Sequence, residues 1–476
     1  MSVGCIILGS EAPGSSGRSL SHRSPVPPTR LFKPEYSESF RCIGPACEDS
    51  CCEGWTIYID QPTFEKSVAL PAGPLRTIIG ENILRAPADA ISTSSVASPF
   101  AQVRMTADAK CPLLSADRLC QAQVEHGETY LSHMCATYPR AMYSIQGEAE
   151  KALSLSCPEA ARLVLLDPHL PMNAGQNDGS PAANVAASGS DPWQNHFWSI
   201  RDFALTLLRN RVYPLWQRMF LLGLFSQRLD AIAPGHLSEK VPPLLEGFTA
   251  ATHAGSLLPA MDALPVDHAR QLDLVLRLAG MLLNRSNLRP RFIECLEAFR
   301  QGIGNTPGAT LESLTAHYAN AHDRYYAPFF QNHPHILENY LINTIFRCRF
   351  PFGSEWARTG AAPSMSHEFA ALTAQFALMK GLLIGVSGFH RGRFSVDHVV
   401  HTVQAAGKHF DHHMDFLKDA HALLVERHMD DARGLVILLR NAASNPFQPA
   451  VSSIQPSMHA SGSDMSVPPT AQSSAV

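Results

Sequence analysis

Eight of the chain's 11 cysteines fall between Cys42 and Cys157, and no other feature constrains the fold as strongly. They are Cys42, Cys47, Cys51, Cys52, Cys111, Cys120, Cys135 and Cys157, while Cys5, Cys295 and Cys348 stand alone. In a secreted chain such a set reads as a disulfide framework. Here the apolar run from Val3 to Leu8 has no basic residue before it and is too short for a signal peptide. A cytoplasmic chain is therefore expected, with thiols kept reduced and available to a metal. One free cysteine is as readily a buried apolar residue as a ligand. Eight together read as ligands.

The spacing adds detail. Cys42-x4-Cys47-x3-Cys51-Cys52 places four thiols in one short loop, and Gly44, Pro45 and the polar run after Cys47 let that loop fold around an ion. Thiolates suit iron–sulfur clusters and zinc. Adjacent side chains diverge along an extended strand, so Cys51 and Cys52 serve one site only through a tight turn. Cys111, Cys120, Cys135 and Cys157 offer four more thiols from distant positions, and Pro112 and Pro158 stiffen two of those loops. One cluster or one zinc takes four ligands. Two sites, or one site with spare thiols, both remain open, as does the choice between a 4Fe-4S cluster and zinc.

The chain has 476 residues and a net charge of -4, so bulk attraction to nucleic acid is not expected. No membrane span is expected either, because apolar stretches such as the one from Leu378 to Val386 look short or interrupted. Residues 1–36 are rich in Ser, Pro, Gly and Arg and read as a disordered leader. Residues 37–166 form the cysteine-rich metal-binding region. Within it, a strand is expected near Trp55 to Ile59. A hairpin is expected from Met142–Ile145 and Ala152–Leu155 around Gln146-Gly147, and a helix from Pro158 to about Leu166. Residues 167–191 read as a linker or insertion, and 445–476 as a disordered tail. Residues 192–444 carry helical stripes, for example Ile200, Phe203, Ala204, Leu207 and Leu208, or Phe369, Leu372, Phe376 and Met379. The expected fold is mainly α, with a cysteine-rich N-terminal region containing short strands, packed on a helical C-terminal region.

The segments ESFRCIGPACEDSCCEGWTIYID, CPLLSADRLC, LSHMCATYPR and LSLSCPEAARLVL occur in that order. Together they resemble the flagellin lysine-N-methylase family, which is related to proteins with a CxxCxxCC-type zinc- or iron-chelating domain. ENYLINTIFRCRFPF and, more loosely, FDHHMDFL are also similar, so the likeness runs from about Phe40 to Leu424. The resemblance implies methylation of lysine side chains on flagellin, with S-adenosylmethionine as methyl donor and a cysteine-bound iron–sulfur cluster. Cys47-x3-Cys51 begins the pattern of radical enzymes that use this donor, but Gly54 stands at the third place. Radical chemistry is therefore not expected. No Gly-rich dinucleotide fingerprint marks the donor's pocket. The Ser- and Ala-rich stretch at 86–98 departs from the family.

Tyr138, just after Cys135, is the candidate to position a lysine amine, against the plainer reading of a packing tyrosine. Arg140 is expected to pair with a carboxylate, either the cofactor's or Asp49. Asp49, beside Glu48, either attracts the substrate lysine or is simply solvated. His409 and His413 share a helix face in the manner of metal ligands. His412, beside Asp411, is a candidate for substrate or cofactor binding. Asn339 and Asn343 flank Tyr340 and either bind a ligand or bridge helices. The competing function is non-enzymatic: a metal-chelating or iron–sulfur protein acting through binding or redox.

Overall fold

The structure is a computed structural model that describes residues 30–86, 99–145, 148–170, 173–176, 192–283, 288–353, 364–410 and 414–441. Strand β1 (Arg30–Lys33) pairs antiparallel with β7 (Asn173–Gln176), with Leu31 opposite Gly175. Short elements then build a small lobe. In it, β2 (Tyr58–Ile59), β3 (Ile83–Arg85) and β4 (Ala101–Val103) form an antiparallel sheet in the order β2-β4-β3. Helices α1 (Gln61–Val68), α2 (Pro74–Asn82) and α3 (Gln121–His126) complete the lobe. Ile57, Ile59, Leu75, Ile79 and Val103 form its core, with Cys111 buried among them. The strand expected from Trp55 is confined to Tyr58–Ile59, because Trp55 instead turns its indole N–H back onto the Cys51 carbonyl.

Asp60 shows how local chemistry sets this lobe. One carboxylate oxygen accepts the Thr63 N–H at 3.0 Å and caps α1. The other accepts the His133 N–H at 2.8 Å, which ties α1 to α4 (His133–Thr137), the helix that carries Cys135. Burial alone would raise the Asp60 pKa, but the bonds from His133 and Thr63 hold it below its ordinary value.

Beyond the lobe, β5 (Arg140–Ile145) and β6 (Glu148–Leu153) form a hairpin around the expected turn, but the second strand begins at Glu148 and ends at Leu153, short of the expected Leu155. Its turn residues, Gln146 and Gly147, lie outside the described residues. Helix α5 (Pro158–Leu165) starts at the expected proline. Then follow α6 (Phe197–Arg209), α7 (Leu215–Asp230), α8 (Leu237–Ala254), α9 (Leu258–Asp262) and α10 (His268–Leu283). After these come α11 (Pro290–Gly302), α12 (Leu311–Ala321), α13 (Ala327–Asn332) and α14 (His335–Arg347). The last four are α15 (Met365–His390), α16 (Val396–Phe410), α17 (Met414–Glu426) and α18 (Ala432–Leu439). The fold is thus mainly helical, with its described strands in the N-terminal part. The hairpin and α5 share one continuous core with the helical body.

Helix α15 runs through the middle of that core. It is apolar on every face because it is packed on every face. The stretch from Leu378 to Val386, read from sequence as interrupted, lies inside it. By length and composition the segment Met365–Arg393 is able to cross a membrane, yet its most apolar stretch is wholly buried in protein. Its glycines do not break the helix; Gly385 meets Gly302 and Phe299 of α11, where a side chain would collide with backbone. Lys380 is accommodated by donating to the Leu439 carbonyl at 3.0 Å and to Asn441 Oδ1 at 2.7 Å.

Helix α14 holds the hairpin and α5 in place. Asn343 Nδ2 donates to the Leu153 carbonyl at 2.8 Å, and its Oδ1 accepts the Tyr36 hydroxyl at 2.9 Å. Asn339 Nδ2 donates to the carbonyls of Val164 at 2.9 Å and Asp167 at 2.7 Å. Both asparagines bridge structural elements, which settles the choice left open by sequence.

Candidate functional site: a thiol-lined recess clamped by the helical body

Three segments bring the cysteines together. In the first loop, Gly44 adopts φ +56°, in the left-handed region that glycine enters without strain. The chain turns at Cys51-Cys52, and the Cys111 N–H donates to the Cys52 carbonyl at 2.8 Å, stitching the first loop to the second. The tight turn needed for the adjacent pair is therefore present. Cys120 and Cys157 each sit at a helix N-cap, on α3 and α5. Ser132 caps α4 by accepting the Cys135 N–H at 3.2 Å.

The thiols form one electrostatic neighbourhood. Burial pushes the Cys111 thiol up to about 12, and the nearby Cys135, Cys120 and Cys51 sulfurs add to the shift. Burial likewise raises Cys135 to about 11, helped by Cys120 and Cys51. It raises Cys157 to about 12, with Cys47 and Cys51 contributing. Cys51 is raised first by its hydrogen bond to Cys52 and then by burial. Cys42, Cys51 and Cys135 nonetheless keep solvent-exposed surface. A thiol that is crowded by protein and still exposed lines a recess. Among the described residues, no three His, Cys, Asp or Glu side chains close on a point as ligands of one metal ion.

The helical body grips this region through Asp49. Its carboxylate receives Lys408 Nζ at 2.7 Å and Gln404 Nε2 at 2.6 Å, with Arg291 Nε at 4.0 Å. Lys408 also donates to the Ser50 carbonyl at 3.2 Å. Arg289 lies against Gly54, where a Cβ would collide with its guanidinium, and stands 3.8 Å from Glu53. Gln404 Nε2 also reaches the Ser156 carbonyl at 2.9 Å, and the Ser156 and Tyr138 hydroxyls are 3.0 Å apart. A polar chain thus runs from the cysteine loop to Tyr138. Lys408→Met leaves Asp49 nearly buried without its closest cation. The expected loss is about 2–4 kcal/mol of stability, with faster hydrogen exchange at the Ser50–Gly54 amides. Unchanged exchange there would mean that the loop is held without the clamp.

The sequence-predicted residues meet different fates. Tyr138 packs edge-on against Trp55 with ring centroids 4.8 Å apart, and burial raises its pKa well above the ordinary value. Arg140 does not pair with Asp49: it donates to the Phe40 carbonyl at 3.0 Å, with its guanidinium 5.1 Å from the Phe40 ring centre. Asp49 is taken by Lys408 instead, because α16 delivers that lysine to the loop. Glu48 pairs with Arg162. His409 stacks on Phe292 at 4.4 Å, and its Nε2 accepts the Arg289 N–H at 3.4 Å, so it serves packing. His412 and His413 lie outside the described residues, as do Cys5 and residues 87–98. Sequence reasoning missed Lys408, Gln404, Arg291 and Arg289. Gln404 is 355 positions from Asp49, and such a pairing leaves no local pattern.

A helical body that clamps a thiol-lined lobe through long-range ion pairs defines an enzyme-sized, cysteine-lobed helical protein. Residues 201–438 match the family described as FliB lysine N-methylase C-terminal domain. The chain belongs to the FliB lysine N-methylase family, whose members are protein-lysine methyltransferases. It is 25% identical to the lysine-N-methylase of Salmonella typhimurium over 412 residues, covering 85% of this chain and 96% of that protein. The lysine-N-methylase of Salmonella choleraesuis matches to the same extent, at 25% over 412 residues. The flagellar biosynthetic protein FliU of Salmonella muenchen is 36% identical over 139 residues, 29% of this chain and 78% of that one. No solved structure matches the chain.

Proposed function

We propose that this enzyme transfers methyl groups from S-adenosylmethionine to lysine side chains of flagellin in the cytoplasm. We further propose that thiols among Cys42, Cys47, Cys51, Cys52, Cys111, Cys120, Cys135 and Cys157 hold a 4Fe-4S cluster, with zinc as the alternative occupant. The observation that carries the reading is the family match over residues 201–438, because that segment supplies the Lys408, Gln404 and Arg291 clamp on the cysteine loop. The flagellar name of the FliU relative supports flagellin as the substrate.

The thiol set fits a cluster better than a single ion. Burial, and then the charge of neighbouring thiols, disfavours the thiolate form of Cys111 and Cys135, so a deprotonated set needs a cationic partner. A cluster spreads its thiolates over several irons, which suits a set of eight thiols drawn from three segments. When bound, the cluster supplies an anchor that joins the cysteine segments and lends them its charge.

The reaction needs a neutral lysine amine, whose lone pair forms the N–C bond as the C–S bond of the sulfonium breaks. The thioether leaves neutral, and the methylated amine gives its extra proton to solvent or a base. Burial keeps the Tyr138 hydroxyl protonated, so it meets an amine as a hydrogen-bond partner and not as a phenolate base. Rate comes from alignment and from excluding water around the amine. It rises with pH towards the lysine pKa.

The test is mass spectrometry of flagellin incubated with metal-replete enzyme and S-adenosylmethionine. Methyl-mass steps on lysine are expected, with far less on unrelated lysine-rich proteins, because an exposed lysine alone carries little to recognise. Tyr138→Phe is expected to lower turnover about tenfold with metal content unchanged. Bound donor and full metal with no methylated lysine would overturn the reading and favour a chelating or redox protein.

A further inference from the structure

Beyond the thiol recess, the C-terminal end of α15 opens onto a hollow of about 470 Å³. Gln301, Phe389, His390, Arg391 and Arg393 line it with two glycines, and no carboxylate is among the lining residues. The guanidinium groups of Arg391 and Arg393 have no ion pair or hydrogen bond among the described residues, and both residues are exposed. His390 lies against His398, with ring centroids 3.7 Å apart and the rings tilted by 35°. Burial, then the charges of His398, Arg393 and His401, push the His390 pKa down to about 4. The cationic charge of the hollow therefore comes from Arg391 and Arg393. The acids Asp397, which acts on His398, and Glu294, 3.8 Å from His401, both lie outside the lining.

The backbone gives a second, independent observation. Arg391 stands at φ +53° and ψ −130°, a backbone position that strongly favours glycine. Glycine is available next door, at Gly392, yet arginine occupies the strained place. Strain of this kind persists where surrounding structure imposes it, and it concentrates at ligand clamps.

We propose that Arg391 and Arg393 form a binding site for the phosphate group of a small anionic ligand. The two guanidiniums, one residue apart on either side of Gly392, offer planar donor forks suited to a tetrahedral oxyanion. The concave, carboxylate-free lining fits a small molecule better than an extended acidic chain. The site is separate from the methyl-transfer reading and does not depend on it. S-adenosylmethionine is a poor occupant, because its sulfonium and amino cations would meet a cationic wall.

The experiment is calorimetric titration of the full chain with pyrophosphate and, separately, with ATP. Both probes are expected to bind, with equal affinity if the phosphates alone are recognised and tighter ATP binding if a nucleoside carries them. Arg391→Gly removes the guanidinium and relieves the strained backbone. It is expected to weaken binding about tenfold or more while raising the melting temperature by about 1–2 °C. Arg393→Ala is expected to weaken binding similarly without the gain in stability. No binding by the wild-type chain, or the same affinity in both variants, overturns the proposal. A stabilised Arg391→Gly variant with unchanged affinity also overturns it, since the turn would then be strained for no ligand.

Discussion

Serine at Cys51 or Cys111 is expected to abolish the proposed metal binding and to take solubility with it. These two thiols lie where the first and second cysteine loops are stitched together, with the Cys111 N–H on the Cys52 carbonyl. Cys51 is raised by its hydrogen bond to Cys52 and by burial, and Cys111 by burial and then its thiol neighbours, so both thiolates gain from a cation. Metal affinity is folding energy for a lobe whose apolar core is this small. Cys47→Ser and Cys135→Ser are expected to behave alike, whereas Cys5→Ser, far from the cluster in sequence, leaves metal content unchanged. Anaerobically purified wild-type protein is expected to be brown and to carry about four irons per chain. Stoichiometric zinc without iron would rule out the cluster and leave the thiolate site standing. Normal metal content in all four variants would show that these are packing cysteines.

The thiol set was legible because cysteines are rare and their spacing is local. The helical body was legible for the same reason: a surface helix such as α6 buries one face, and its stripe of Ile200, Phe203, Ala204, Leu207 and Leu208 follows directly. Helix α15 was harder. A helix packed on all sides has no polar face, so the stripe from Phe369 to Met379 marked only part of it and its length was easily underestimated. Helix α8 keeps Pro242 and Pro243 within its span, where sequence rules would end it. The pairing of β1 with β7 joins two polar or mixed segments with no alternating pattern to announce it. At the site, the missing information was tertiary. Arg140 and Lys408 are both plausible partners for Asp49, and only the placement of α16 decides between them.

The same long-range logic makes Arg201→Met the most damaging single change outside the cysteines. Arg201 on α6 and Glu150 on β6 are both nearly fully buried, and Arg201 Nη1 donates to the two carboxylate oxygens at 3.0 and 3.1 Å. Arg201 Nε also bonds the Phe350 carbonyl, and its guanidinium lies 4.8 Å from the Phe197 ring centre and 5.4 Å from that of Phe346. The pair therefore fastens the hairpin to the helical body. Methionine fills much of the volume but takes both guanidinium hydrogen bonds from a buried carboxylate, a loss of about 3–5 kcal/mol. The double variant Arg201→Met/Glu150→Leu removes the charge altogether and is expected to recover most of the loss. Denaturant melts of the wild type and the two variants read this out directly. A deficit in Arg201→Met that the second substitution does not relieve would mean that its packing on Phe197 and Phe346, and not the ion pair, carries the stability.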